Sequence, residues 1–254
     1  MVGVRIIPCL LYRSNGLVKT VRFKDPVYIG DVTNAIRIFN EKEVDELILL
    51  DIDASVKKQK PNTDLIKKIA SECFMPLCYG GGISSLQDIK EVVSVGVEKV
   101  SLNSAAVQNP AFVKQAAATY GSSTIVVAID YKKNRWGKLI VTGNSGSLKT
   151  KYDPVEFAQL MEEMGAGELL VNSIDRDGTM SGYDIELLTM ITEKVTIPVI
   201  AMGGAGENEH FIEVINKAHV SAVAAGSMFV FQGKHKAVLI NYPDRGLFEN
   251  LKSI

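Results

Sequence analysis

The sequence predicts an α/β fold, a (β/α)8 TIM barrel with an internal half-barrel repeat, on three observations. The chain states its pattern twice: Glu46, Asp53, Pro76 and Gly81-Gly82 return as Glu168, Asp175, Pro198 and Gly203-Gly204 at an offset of 122 residues, and Val100 and Ser104 return as Val223 and Ser227 at 123. A first strand ending at Leu11 aligns with a fifth ending at Asp130, at an offset of 119. Four short apolar runs recur in the same order in each half, each followed by a helix-like run. The length of 254 residues suits such a barrel, which typically takes about 250. A half that cannot cover its own sheet edges closes naturally against its twin. The expectation is one domain over 1–254, with half-barrels at about 1–122 and 123–254.

The strands are expected at Val4–Leu10, Leu47–Ile52, Leu77–Tyr79, Val100–Leu102, Ile125–Ile129, Leu169–Val171, Val199–Ala201 and Ala222–Ala225. They are continuously apolar, as strands covered on both faces should be. After the first strand, Val32, Ala35, Ile36 and Phe39 fall on one helical face behind an Asp31 cap. Ser84-Ser85-Leu86-Gln87 has the form of a capping box, and Gly96 suits the C-terminal stop of that helix. The polar stretch from Tyr131 to Tyr152 predicts a hairpin insertion after strand five, and Asp153-Pro154 opens the next helix with a cap and an N1 proline.

A net charge of −1 argues against nucleic acid or an anionic membrane as partner. No apolar run approaches the ~18 residues of a membrane span, and Met1-Val2-Gly3 leads directly into a strand, so a cytoplasmic protein is expected. Cys9, Cys73 and Cys78 are odd in number and lack metal-ligand spacing, so reduced thiols, no metal and no cofactor are expected. His210, His219 and His235 are read as surface or packing residues at helices or their ends.

Chemistry in such barrels sits at the C-terminal strand ends. The residues expected there are Leu11, then Asp51 and Asp53, Gly80-Gly81-Gly82, Asn103-Ser104, Asp130, Asp175 with Asp177 and Gly178, Gly203-Gly204, and Gly226-Ser227. Gly81 and Gly82 beside Asn103 and Ser104, and Gly203 and Gly204 beside Gly226 and Ser227, form two cradles whose backbone N–H groups and hydroxyls suit phosphate. Tight turns alone also explain glycine, but a doubled pair with polar neighbours favours an elongated ligand carrying a phosphate at each end.

Arg5-Ile6-Ile7-Pro8-Cys9-Leu10, Leu50-Asp51-Ile52, Gly80-Gly81-Gly82-Ile83, Val126-Val127-Ala128-Ile129-Asp130 and Ser173-Ile174-Asp175-Arg176-Asp177-Gly178-Thr179 carry a specific resemblance, with Ser181-Gly182-Tyr183-Asp184 and Gly203-Gly204-Ala205-Gly206. Over essentially its whole length the chain resembles the cyclase subunit of imidazole glycerol phosphate synthase. The resemblance implies a glutaminase partner at the N-terminal barrel face, whose ammonia crosses the barrel to a bisphosphorylated ribosyl-aminoimidazole. It also implies catalysis by Asp130 and a ligand-binding lysine, Lys19, in a mobile first loop. Asp51 is a second catalytic candidate from its place alone, since a carboxylate at the barrel mouth needs a partner, and Lys19 or a substrate hydroxyl could supply one. One departure matters. The family carries an aspartate where this chain has Leu11, so the second carboxylate of the acid–base pair is missing, and such a loss costs about 10²–10⁴ in rate. Met202 also stands where a small polar residue is usual.

This combination resembles the cyclase-like paralogue of acetamidino-sugar pathways, which implies ammonia supply to a sugar amidotransferase for amidination of a surface-glycan sugar. Two alternatives stand beside it, an imidazole glycerol phosphate synthase cyclase of histidine biosynthesis and a non-catalytic scaffold that activates a glutaminase. Arg5, Glu46, Lys99 and Glu168 lie at or just before strand starts and match the family's charged ring at the barrel base, an expected ammonia gate. Charges preceding strands are also common as ordinary solvated groups.

Overall fold

Eight parallel strands close on themselves in the computed structural model, which describes residues 3–233, 235–244 and 246. They are β1 (Arg5–Arg13), β2 (Leu47–Asp51), β3 (Leu77–Gly80), β4 (Lys99–Leu102), β5 (Ile125–Lys133), β6 (Glu168–Ser173), β7 (Val199–Met202) and β8 (Ala222–Ala225). Neighbours pair in chain order, β6 pairs with β5, and β8 returns to β1 through Arg5↔Ala222 and Ile7↔Ala224. Closure removes the free edges that an open sheet would expose. Expectations for Met1, Val2 and residues 247–254 lie outside the described residues.

The apolar side chains divide into two clusters, as alternation along covered strands requires. One fills the layer between strands and helices, and includes Phe39, Phe157, Phe211 and Phe229. The other fills the barrel interior, with Ile7, Cys9, Leu11, Ile48, Cys78, Val126, Ala128, Leu170, Ile200 and Met202 among its members. The helix Val32–Glu41 buries the expected Val32, Ala35, Ile36 and Phe39, and the Asp31 carboxylate accepts from the Asn34 N–H. Asp153 caps the helix Pro154–Glu163, with Pro154 at its first position.

Four local features differ from expectation. The capping box sits one residue later, on Ser85 and Asp88, because the Asp88 carboxylate reaches back to the Ser85 backbone while Gln87 bonds Glu91 outside. Strand β1 runs on to Arg13 and pairs antiparallel with Gly16–Val21, which pairs in turn with Lys24–Gly30. The first loop is therefore a hairpin, turned by left-handed Ser14 and Asn15. Leu11 and Asp130 lie inside β1 and β5 rather than after them, since both strands continue into hairpins above the barrel. His235 lies in a turn rather than at a helix end. The insertion after strand five forms as expected, with Leu139–Gly143 antiparallel to β5.

Candidate functional site

The C-terminal strand ends surround a cavity of about 120 Å³. Its wall includes Leu11, Lys19, Asp51, Gly81, Gly82, Asn103, Ser104, Asp130, Asn172, Asp177, Met202 and Gly226, so the structure gathers most of the expected site residues in one place. The cavity reaches down to Cys9, Ala128 and Leu170. Gly178, Gly203, Gly204 and Ser227 line a smaller recess on the far side of Lys19 and Asp177. Leu11 and Met202 make the mouth apolar beside Asp130.

Asp130 is held at the end of the interior by β5, and Asn172 stands opposite it on β6 in register. The Asn172 amide nitrogen donates to Asp130 Oδ1 at 2.9 Å. Burial raises the Asp130 carboxyl to about 7, with the Asn172 bond opposing the rise and the nearby Asp177 charge adding to it. A raised carboxyl keeps its proton in the fold at pH values where the unfolded chain has lost it. Its contribution to stability is thus complete below the unfolded value of 3.8 and is lost as pH climbs to about 7. Over that window the loss is about 4 kcal/mol as an order of magnitude. Urea unfolding at pH 5 and pH 8 should show the larger part of it, the part that falls above pH 5, and Asp130→Asn should flatten that part of the profile. An unchanged profile in the variant would assign the pH dependence elsewhere.

Asn172 is the residue that sequence inspection missed. It is 3% exposed, and its Oδ1 has no hydrogen-bond donor. An ordinary strand asparagine gives no motif. The signal available was its position, two residues beyond inward-facing Leu170 on a strand of period two.

Lys19 does not reach Asp51. Its Nζ donates to Asp177 Oδ1 and to the Thr20 carbonyl, both at 2.7 Å, and the pair is buried. Asp177 also accepts from the Thr20 hydroxyl and the Phe23 N–H, so it fastens the first hairpin over the mouth. Asp51 instead caps its own loop, accepting from the Asp53 and Ala54 N–H groups at 3.0 Å. Burial raises its carboxyl and those two bonds oppose the rise. The thiols of Cys9 and Cys78 are pushed up by burial and hold no nucleophilic thiolate. No cluster that could hold a metal ion occurs among the described residues.

The glycine turns have structural reasons of their own. Gly81 and Gly204 adopt φ of +118° and +114°, and a Cβ on Gly204 would stand 2.0 Å from the Gly182 carbonyl. The Gly82 N–H donates to Ser55 Oγ, and Ser104 Oγ accepts from the Asn144 N–H. Asn103 donates to the Ala128 and Thr142 carbonyls, tying β5 to its hairpin. Substituting Gly82 or Gly204 would therefore disturb the fold as well as any anion site. The polar groups on these turns that face the cavity remain the candidates for oxyanion contact.

At the opposite end Arg5, Glu46, Lys99 and Glu168 form a closed ring rather than four solvated charges. Arg5 pairs with Glu46 at 2.5 Å and with Glu168, while Lys99 bridges the same two carboxylates at 3.0 and 2.9 Å. Burial lowers the Lys99 pKa, but Glu168 and Glu46 outweigh it and the net shift is upward, as it is for Arg5, so both cations of the ring keep their protons. Between ring and cavity floor lies an apolar layer that includes Ile7, Ile48, Cys78, Val126 and Ile200.

A family profile described as histidine biosynthesis protein matches residues 5–236. A Pseudomonas aeruginosa protein, provisionally named imidazole glycerol phosphate synthase subunit hisF2, is 54% identical over 244 residues, covering 96% of this chain and 97% of the relative. A Leptospira borgpetersenii protein with the equivalent provisional name HisF is 49% identical over 245 residues, 96% of each chain. The Hydrogenobaculum imidazole glycerol phosphate synthase subunit HisF is 46% identical over 233 residues, 91% of this chain and 92% of the relative.

Proposed function

We propose, because this chain belongs to the histidine biosynthesis protein family and within it to the HisF-like cyclase subunits, that it is the ammonia-conducting barrel subunit of a glutamine-dependent complex. A glutaminase docks on the N-terminal face around the Arg5, Glu46, Lys99 and Glu168 ring, and ammonia crosses the apolar interior to the mouth. A neutral molecule as small as ammonia loses little on entering an apolar layer, whereas ammonium would face the desolvation cost of a buried ion. Lys19, the turns at Gly81-Gly82 and Gly203-Gly204, Gly178, and Ser104 with Ser227 hold a phosphorylated ligand there.

The single observation that carries this proposal is that Asp130 at the mouth shares the cavity with Leu11 on β1, where the cyclase pattern has a carboxylate. A proton cannot be given and taken by two positioned acids when one of them is a hydrocarbon. Delivery of ammonia to another enzyme then becomes the principal activity. Amidination of a surface-glycan sugar by a sugar amidotransferase is the destination we assign on the resemblance of the altered first strand. A second proposal, the cyclase itself, is favoured by the retention of Asp130, Lys19 and Asp177 in one cavity.

Purified protein with ammonium and the bisphosphorylated ribosyl-aminoimidazole separates the two. Turnover about 10²–10⁴ below that of an authentic cyclase is expected from the loss of one positioned acid. Turnover equal to that of an authentic cyclase would establish the second proposal at the expense of the first.

A further inference from the structure

Five of the nine large hydrophobic side chains that stand exposed among the described residues, Val21, Val27, Tyr28, Val56 and Trp136, belong to three segments around the mouth. Val21, Val27 and Tyr28 lie on the first hairpin, Val56 on the loop after β2, and Trp136 on the turn between β5 and Leu139–Gly143. The three segments are tied together. Asp175 joins the two hairpins, because its carbonyl accepts from Arg22 Nε at 3.1 Å and its carboxylate from the Lys133 N–H at 2.8 Å. Ser145 Oγ donates to the Ile52 carbonyl at 3.1 Å and fastens the second hairpin to the loop. Phe23, Ile52 and Ser145 from the same segments line the cavity, so the exposed groups frame its opening. Trp136 is 78% exposed, and the Arg135 guanidinium lies 5.1 Å from the centre of its ring, a contact that restrains both side chains before any partner arrives.

Positive charge gathers on the same three segments. Residues 14–30, 52–60 and 131–152 hold twelve lysines and arginines against two aspartates, in a chain whose net charge is −1. Arg22, Lys24, Lys58, Lys133, Arg135 and Lys138 are exposed, while Asp175 and Asp177 across the mouth are themselves bound to these hairpins. A rim that only drew in a small phosphorylated ligand would need the charge but not the hydrocarbon. A second copy of this chain would present the same cations and be repelled. We propose that this face docks the enzyme that consumes the ammonia, through an acidic surface with an apolar centre that Trp136 and Tyr28 enter. Tryptophan, tyrosine and arginine dominate the energetics of such surfaces, and the surrounding cations steer an acidic partner. The proposal rests on the reading of the barrel as an ammonia conduit and goes beyond it by making delivery direct. In neutral water ammonia takes up a proton and ceases to be a nucleophile, so a covered exit preserves what the apolar interior delivers.

Binding of the purified complex of this chain and its glutaminase to the sugar amidotransferase of the same organism is measured by interferometry at low and at high salt. Wild type should bind, and more weakly at high salt. Trp136→Ser with Tyr28→Ser should weaken binding roughly thirtyfold, the effect of removing one dominant interface residue. Lys133→Glu with Arg135→Glu should slow association roughly tenfold at low salt. Both variants should keep the wild-type unfolding temperature and the glutaminase, because all four side chains are exposed at the end of the barrel away from that partner. Wild-type affinity in both variants would overturn the proposal. So would binding of the wild type to phosphatidylglycerol vesicles and not to the amidotransferase, which would make this face a membrane contact. The conduit itself is followed separately, by the glutamine nitrogen recovered in product against added ammonium. No binding with that nitrogen undiluted overturns the docking face and leaves the conduit, and no binding with dilution overturns both.

Discussion

Leu11→Asp is expected to raise imidazole-forming turnover by about 10²–10⁴, the range associated with a positioned acid or base. The new carboxyl would project from β1 into the interior cluster that already holds Met202, with Asp130 retained on β5. Two carboxyls in one apolar mouth resist ionising together, so the pair would share a proton and supply one donor and one acceptor at neutral pH. Replacing a leucine that is 6% exposed with a carboxyl carries a stability cost of about 1–3 kcal/mol. A thermal unfolding curve should therefore accompany the rate measurement. The gain should vanish in Leu11→Asp with Asp130→Asn. No gain in a folded variant would mean that Met202 and the surrounding wall already serve a different ligand.

Removing one member of the basal ring should separate glutamine consumption from product formation. In Lys99→Ala both Glu46 and Glu168 keep Arg5 but lose the cation that bridges them on the other side. Glu46 already has one oxygen without a donor, so the ring has little reserve. Breaking a buried pair from one side costs about 3–5 kcal/mol, and the remaining Arg5 places this variant at the low end. In the intact complex, product per glutamine hydrolysed should fall several-fold, with partial rescue by added ammonium. Should the ratio stay constant in all four single alanine variants, the barrel is not the conduit.

The barrel was legible because its cause is local and repeated. Short apolar runs at matched offsets can be buried only between two layers, and closure follows from the twin halves. The ring was legible from the placement of Arg5, Glu46, Lys99 and Glu168 at strand starts, which brings side chains of four strands to one level. What escaped reading depends on contacts distant in sequence. Lys19 finds Asp177, 158 residues away, rather than Asp51. The segment after Leu11 pairs with its own continuation because Ser14 and Asn15 turn the chain, where a loop was expected. Leu11 and Asp130 both line the cavity, yet the strands that carry them extend further than their apolar runs. Asn172 could be seen only once β5 and β6 were in register.

An isotope competition tests most directly whether ammonia passes through this barrel. The wild-type complex is given glutamine labelled with ¹⁵N in the side-chain amide, in the presence of excess unlabelled ammonium. The nitrogen entering the final acceptor is then measured by mass spectrometry. Passage through the apolar interior keeps that nitrogen out of the solvent pool, so the product should carry the label of glutamine. Product labelled only in proportion to the mixed ammonium pool would show release into solution, and would contradict a conducting role for the barrel.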